Sequence, residues 1–497
     1  MFASRLLFPI SFSLALATCA PAQEEEPTAE LPPIAQQALE SDLAYTLVSD
    51  LVTTIGARFA GSENEAAARA WAVARFEELG FQNIHVEPFE VPGWRRGREE
   101  GFLLTSQRQH IELSTLGGSP ATPEGGLRAP LAFVATHDDL LAAPPGAYDG
   151  MIVFINDHME RTESGQGYRG AVRKRKFGAI EAARRGAVAV LSRSVNTSPH
   201  RFASAGGQWF EDGVEPIPAA AVSNPDANRI ERLARDGAPL EVELFIEPQD
   251  LEPQLSGNVI AEIPGATRPE EIVLLGAHLD TWDNTDGALD DGAGVATVMS
   301  AAWLVSQQET PPDRTIRVVL FGAEEIGALG GFAYANRHGP AFTDIAAAIE
   351  QGANGMRAWE MTTQELSALE GFARGHNSAP YYSAYTVAVE ADAGGGAPLT
   401  FNTNVHDEDL PFYDRIGEQL ASLGVTRGTN DSGSGADIYT FRQTGANVVD
   451  IKQDMSDYFD VYHTSSDTLS QVDPEALQMT VAAYAVFAQS AATLPRE

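Results

Sequence analysis

The chain has 497 residues, more than one ordinary domain holds. Its 43% hydrophobic and 21% charged residues fit a globular protein and exclude a disordered or fibrous one. A formal net charge of −36 argues against a nucleic-acid partner, because a phosphate backbone would be repelled.

Residues 1–22 read as an export signal. Arg5 gives it a positive start, and Leu6 to Ala17 is an apolar run too short to span a bilayer. Two endings stand side by side. Ala20-Pro21-Ala22 fits a small-x-small cleavage site that leaves Gln23 first. Leu16-Ala17-Thr18-Cys19 instead has the look of a lipobox, which leaves Cys19 as a lipid-anchored amino terminus. Either ending places the mature protein outside the cytoplasm, in a periplasmic or extracellular space. Cys19 is the only cysteine, so the mature body has no disulfide, no thiolate ligand and no cysteine nucleophile. No other stretch has the length and polarity of a transmembrane segment.

Residues 23–38, beginning QEEEPTAELPP, read as an acidic, proline-rich linker. Residues 39–100 supply two helices, Ser41 to Ile55 and Ser62 to Leu79, and a strand, Ile84 to Val91. The pattern changes near Gly101. Short strands at Pro130 to Thr136, Gly150 to Ile155, Ala189 to Ser192, Ile217 to Val222 and Leu240 to Ile246 alternate with helices at Lys176 to Arg185 and Asn224 to Asp236. Residues 101–252 therefore form a second domain inserted into the first. Its basic run, Arg173-Lys174-Arg175-Lys176, reads as a solvated face.

Residues 253–497 return to the first body. Strands are expected at Gly257 to Ile263, Ile272 to Leu275, Thr315 to Phe321, Tyr385 to Glu390 and Ala446 to Ile451. Helices are expected at Val295 to Gln307, Gly330 to Arg337, Leu410 to Leu423 and Pro474 to Leu494. This alternation gives an α/β, three-layer sandwich with a mostly parallel sheet.

Ligands of such sheets sit at the carboxyl ends of the strands. Here those ends are rich in chemistry. Ile272 to Leu275 leads to His278 and Asp280, and the next helix is preceded by Asp290-Asp291. Thr315 to Phe321 leads to Glu324-Glu325, and Val387 to Glu390 leads to Asp392. His463 precedes the last helix, and Asn430 to Asp437 is a glycine-serine loop that either lines a pocket or merely connects. Singly, Asp290 reads as a helix cap and His278 as a strand-end histidine. Together they crowd carboxylates that repel and are costly to desolvate, and a bound divalent cation is the usual compensation. Imidazoles and carboxylates suit zinc, and two histidines with several carboxylates can hold two ions about 3.5–4 Å apart. Glu324 and Glu325 can divide the jobs of base and ligand. Asp280, two residues after His278, suits accepting the imidazole N–H. There is no Gly-x-Ser-x-Gly elbow, His-Glu-x-x-His helix or Walker A loop.

The runs HLDTW…GALDDGAG, TIRVVLFGAEEIGALGG, VEADAG and YHTSSDT resemble those of the M28 metallopeptidases, which are co-catalytic di-zinc aminopeptidases and carboxypeptidases. Within them the chain is similar to the plasma glutamate carboxypeptidase branch, and residues 101–252 look like the protease-associated (PA) domain of that branch. The resemblance implies two Zn2+. It implies His278 and Asp392 on the first, Glu325 and His463 on the second, Asp290 bridging both, Glu324 as general base and Asp280 supporting His278. It leaves Asp291 as a helix cap. It further implies a peptide substrate cut at an unblocked terminus, with aminopeptidase, carboxypeptidase and dipeptidase all open. Tyr439 and Tyr462 are the candidates for stabilising the oxyanion. The segment near 340–384 is longer than the branch has, and reads as a lid or as an oligomer contact such as that of a homodimer. Glu350 within it imitates a ligand strand, but VEADAG is the better local match and favours Asp392. Two rivals share this fold: a binding ectodomain that has lost catalysis, and a cyclase acting on amino-terminal glutamine.

Overall fold

A computed structural model describes residues 30–211, 213–338, 385–443 and 446–495. The expected signal segment with Cys19, and the extra segment near 340–384 with Glu350, lie outside these residues. In chain order the strands are β1 (Gln82–Leu104), β2 (Arg108–Ile111), β3 (Leu113–Thr115), β4 (Leu127–Val134), β5 (Ile152–Ile155), β6 (Ala189–Arg193) and β7 (Ala219–Val222). They continue as β8 (Glu241–Ile263), β9 (Arg268–His278), β10 (Arg314–Phe321), β11 (Tyr385–Glu390), β12 (Pro398–Asn404), β13 (Thr426–Arg427) and β14 (Val448–Gln453). The order across the sheet is β13-β12-β14-β11-β9-β10-β8-β4-β5-β6-β7-β3.

The expected sandwich is present. β14, β11, β9 and β10 run parallel at the centre. β8 and β12 flank them antiparallel, so the sheet as a whole is mixed. Its side chains alternate between two covers, as strand geometry requires. Val273, Leu275 and Ala277 of β9 join Ile316, Val318 and Leu320 of β10 in one core with the helices Leu43–Thr54, Ala293–Ser306 and Pro474–Thr493. Ile272 and Leu274 point the other way, among Phe321, Tyr334 and Phe441. Ala293–Ser306 is apolar on nearly all sides because it is almost wholly buried between neighbours.

Residues from β3 to β7 build a second sheet region, parallel from β4 through β7, with β3 antiparallel at its edge. Its core includes Ile152, Phe154, Leu191, Val222 and Ile230. The expected boundaries at 101 and 252 fall inside continuous strands. β1 and β8 pair antiparallel from Gln82↔Glu262 to Leu104↔Glu241, with bulges on the way. On its other side β8 meets β4 with its first half and β10 with its last. One long ribbon thus ties the inserted residues to the central sheet.

Two other expectations change. Residues 33–38 of the expected linker belong to a helix, Pro33–Leu39, which buries Ile34, Ala35 and Ala38 against the last helix, while 23–29 lie outside the described residues; proline at its first position suits a helix start. The basic run is not a solvated face. Arg173–Ala183 forms a helix in which Lys174 and Arg175 are buried. Among the described residues no helix is long and apolar enough to cross a membrane.

Candidate metal centre

Parallel pairing sets the site. His278 closes β9 directly opposite Phe321 at the end of β10, and Glu390 at the end of β11 pairs with Gly276. The segments after these three strands therefore leave one edge of the sheet together. Asp290 arrives on the turn Ala288–Gly292, and His463 on the loop after Tyr458–Val461.

Two donor sets converge there, His278 with Asp290 and Asp392, and Asp290 with Glu325 and His463. Oδ1 of Asp290 lies 3.1 Å from Nε2 of His278, and Oδ2 lies 3.2 Å from Nε2 of His463. Asp392 Oδ1 is 3.7 Å from Nε2 of His278, and Glu325 Oε2 is 3.0 Å from Nε2 of His463. One carboxylate thus faces both imidazoles. All five residues implied as ligands are brought together, and Glu324 lies beside them in a cavity of about 70 Å³ with Glu325 and His463.

The electrostatics are those of a cation site. Burial opposes charge on His278, but hydrogen bonds to Asp290 and Asp392 outweigh it and hold its pKa well above the ordinary value. His463 is likewise raised against its burial, chiefly by Glu325. Asp290 is held far below the carboxylate range by both imidazoles despite its burial. Burial pushes the Glu324 carboxyl well above the ordinary carboxylate value. Among the described residues Glu325 Oε1 is buried without a hydrogen-bond partner, and Asp290 Oδ2 has only the His463 imidazole, 3.2 Å away. Such oxygens cost free energy unless something compensates them, and a divalent cation at each donor set would. Imidazole nitrogen and carboxylate oxygen without sulfur match zinc.

The supporting residues differ in part from expectation. The carbonyl of Asp280, not its carboxylate, is the nearer partner of His278 Nδ1, at 3.0 Å against 3.9 Å. A carbonyl only accepts, so Nδ1 carries the proton and Nε2 is left to face the site. The Asp280 carboxylate instead accepts from the backbone N–H of Glu324 at 2.9 Å and of Glu325 at 3.3 Å, and burial lifts it to about 7. Asp291 does cap the helix, accepting from Gly294 N at 3.1 Å, and its other oxygen accepts from His278 N at 3.0 Å.

Several residues had no signal of their own in the sequence. Asp467 accepts from the N–H groups of Leu289 and Asp290 and so holds the turn that presents Asp290. Its place in YHTSSDT is the one cue that could have found it. Arg58 is fully buried, and donates to the carbonyls of Leu279, Asp286 and Gly287. Residues between β3 and β7 also reach the site. Ala205 N donates to the carbonyl of His463 at 2.8 Å, and Nδ1 of His463 sits 3.2 Å from the carbonyl of Ala205. Arg175 places Nη1 3.4 Å from the same Nδ1, and donates through Nη2 to the Tyr168 hydroxyl. Tyr462 stacks on His463 with centroids 3.6 Å apart and lines the small cavity; Tyr439 lines a different one.

Known proteins resemble the chain in sequence and in fold. Residues 258–488 match the model of peptidase family M28. The chain is 31% identical over 449 residues to carboxypeptidase Q of Mus musculus, covering 90% of this chain and 84% of that one. Among solved structures it is similar to the peptidase M28 precursor of Shewanella amazonensis SB2B, at 38% identity and a TM-score of 0.82, covering 93% of this chain and 95% of the other. The fold of a zinc aminopeptidase from Bacillus subtilis is also similar, with a TM-score of 0.58 at 21% identity, over 92% of this chain and 95% of that one.

Proposed function

The chain belongs to peptidase family M28 and is a metallopeptidase; from that premise we propose that it is an exported di-zinc exopeptidase, cleaving dipeptides or short peptides at an unblocked terminus. The observation that carries this reading is Asp290, with one oxygen against His278 and the other against His463. A carboxylate placed so can bridge two cations. His278 and Asp392 would hold the first, and Glu325 and His463 the second.

Bound there, a pair of zinc ions supplies Lewis-acid polarisation and lowers the pKa of water. The remaining work falls to this chain. The Glu324 carboxylate, with its main chain pinned by Asp280, takes a proton from the attacking water and returns it to the leaving amine. The carbonyls of Asp280 and Ala205 fix both imidazoles with Nε2 facing the site. Residues 101–252, proposed as a PA-like insert, close one side of the cavity through Tyr168, Arg175 and Gln208.

Release of free amino acid from unblocked, N-blocked and C-blocked dipeptides tests the reading, with and without chelator, beside Glu324→Ala. Cleavage that chelator and the variant both abolish is expected, and the blocked pair then assigns the end attacked. No turnover of any of the three by zinc-loaded protein would sink it.

A further inference from the structure

A buried cation beside the metal centre has no carboxylate to answer it. Arg175, on the helix Arg173–Ala183, is 4% exposed. Among the described residues its guanidinium forms no ion pair. Nη2 donates to the Tyr168 hydroxyl at 3.1 Å, Nη1 lies 3.5 Å from the Ala205 carbonyl and 3.4 Å from Nδ1 of His463, and Nε has no partner. Burying such a charge unpaired is costly, so its retention points to a role. The fold builds a seat for it. Gly206 has φ 143°, and a Cβ there would stand 2.5 Å from Cζ and Nη1 of Arg175. Only glycine leaves that room. The Tyr168 hydroxyl lies 3.0 Å from that of Tyr462, whose ring stacks on His463. The charge is thus fixed against one imidazole. Behind His278 the groups are of the opposite kind. Its Nδ1 meets the Asp280 carbonyl at 3.0 Å and the carboxylate of the same residue at 3.9 Å. An acceptor or an anion behind a metal-binding imidazole makes it the better donor, and a fixed cation makes it the poorer one. Ala205 offers His463 a carbonyl too, but there the guanidinium stands against both.

We propose that Arg175 is a positioning residue that tunes the second cation site through His463. Its fixed charge weakens the hold of Asp290, Glu325 and His463 on zinc below that of His278, Asp290 and Asp392, and leaves an ion held there the stronger Lewis acid. The proposal rests on the di-zinc reading, and adds to it an order of filling and the residue that sets it. Glu325 and His463 share the small cavity with Glu324, so the stronger acid borders the base.

Titration of the zinc-loaded full chain with a chromophoric zinc chelator tests this, because competition yields a separate affinity for each ion. The unsubstituted protein should release two ions in two steps, with affinities about tenfold or more apart. His463→Ala should erase the weaker step and keep the stronger one. Arg175→Met removes the charge and keeps most of the bulk. It should tighten the weaker site by about tenfold, leave the stronger site unchanged, and lower kcat on an unblocked dipeptide without changing KM. Arg175→Lys should restore the original affinities. Circular dichroism confirms that each variant folds, and Arg175→Gln carries the same expectation if Arg175→Met does not. A merely structural role moves the weaker site the other way, since a lost packing partner loosens it. Two ions of equal affinity in the unsubstituted protein, or a weaker site that Arg175→Met loosens or leaves unchanged, would overturn the tuning alone. Unchanged affinities, with a loss confined to dipeptides that carry a free carboxylate, would give the guanidinium to the substrate instead. One ion or none, in the unsubstituted protein and in Arg175→Met alike, would sink the di-zinc reading as well.

Discussion

Asp290 and Arg58 show two ways a single residue governs this site. Asp290 contributes charge to both donor sets, so Asp290→Asn keeps its shape and removes what a pair of cations needs. Bound zinc, counted by elemental analysis, should fall from two per chain to one or none, with the fold intact. Retention of two ions would assign the bridge elsewhere. Arg58 holds geometry rather than metal. Its three nitrogens donate to carbonyls on either side of the loop from β9 to Asp290, at 2.5–3.0 Å. Burial lowers its pKa to about 10, against the pull of Asp467 and Asp280, so it stays charged at neutral pH. Arg58→Met leaves buried carbonyls unpaired at roughly 1–3 kcal/mol each, and a loss of about 3–5 kcal/mol is expected by urea unfolding. His278, Glu324, Glu325 and Asp392 were legible in the sequence because each comes just after an apolar strand, and Asp290 and His463 because each precedes a helix in a recognisable run. Arg58 was not, because the carbonyls it holds at the site lie more than 220 residues away and nothing local marks it.

At the scale of elements, the residues between β3 and β7 do more than cover the site. His463 adopts a left-handed backbone, φ 57°, which a residue with a Cβ rarely takes. Two contacts to Ala205 hold it there: Ala205 N–H donates to its carbonyl, and the Ala205 carbonyl lies 3.2 Å from its Nδ1. His278 draws the same support from its own strand end. The second donor set therefore leans on Ala205, and His278 of the first does not. Ala205→Pro removes one of the two bonds, and should lower zinc occupancy by about one ion per chain while the far-ultraviolet dichroism stays unchanged. Loss of both ions together would instead mean that the sets cannot form separately. This dependence was hidden in the sequence. Charge alone suggested that Arg173–Lys176 faces water, whereas burial on a helix turns Arg175 towards His463. The ribbon β1–β8 was hidden for a similar reason. Its halves read as separate strands, and only their continuous pairing joins them.

For the whole molecule, acidity and the metal site predict how stability varies with pH. Asp280 and Asp467 are both lifted by burial from 3.8 to about 7. The folded chain then binds more protons than the unfolded one between those values, so their contribution to stability is present at low pH and is lost as pH rises towards 7. His278 and His463, raised above 6.5, add stability that is complete below 6.5 and is lost as pH climbs through their folded values. Asp290 works the other way, but its stabilisation fades only below about pH 4. Repulsion within a chain of net charge −36 at pH 7 adds to the loss at higher pH. Protein stripped of metal should therefore lose stability steadily from about pH 5 to pH 8. Zinc needs the same groups deprotonated, so its stabilisation grows over the same interval. The gap in melting temperature between zinc-loaded and chelated protein should be wider at pH 8 than at pH 5.5, measured by differential scanning fluorimetry at fixed ionic strength. A gap that narrows with pH, or stripped protein that gains stability on going to pH 8, would mean that these buried acids do not sit around a shared cation site.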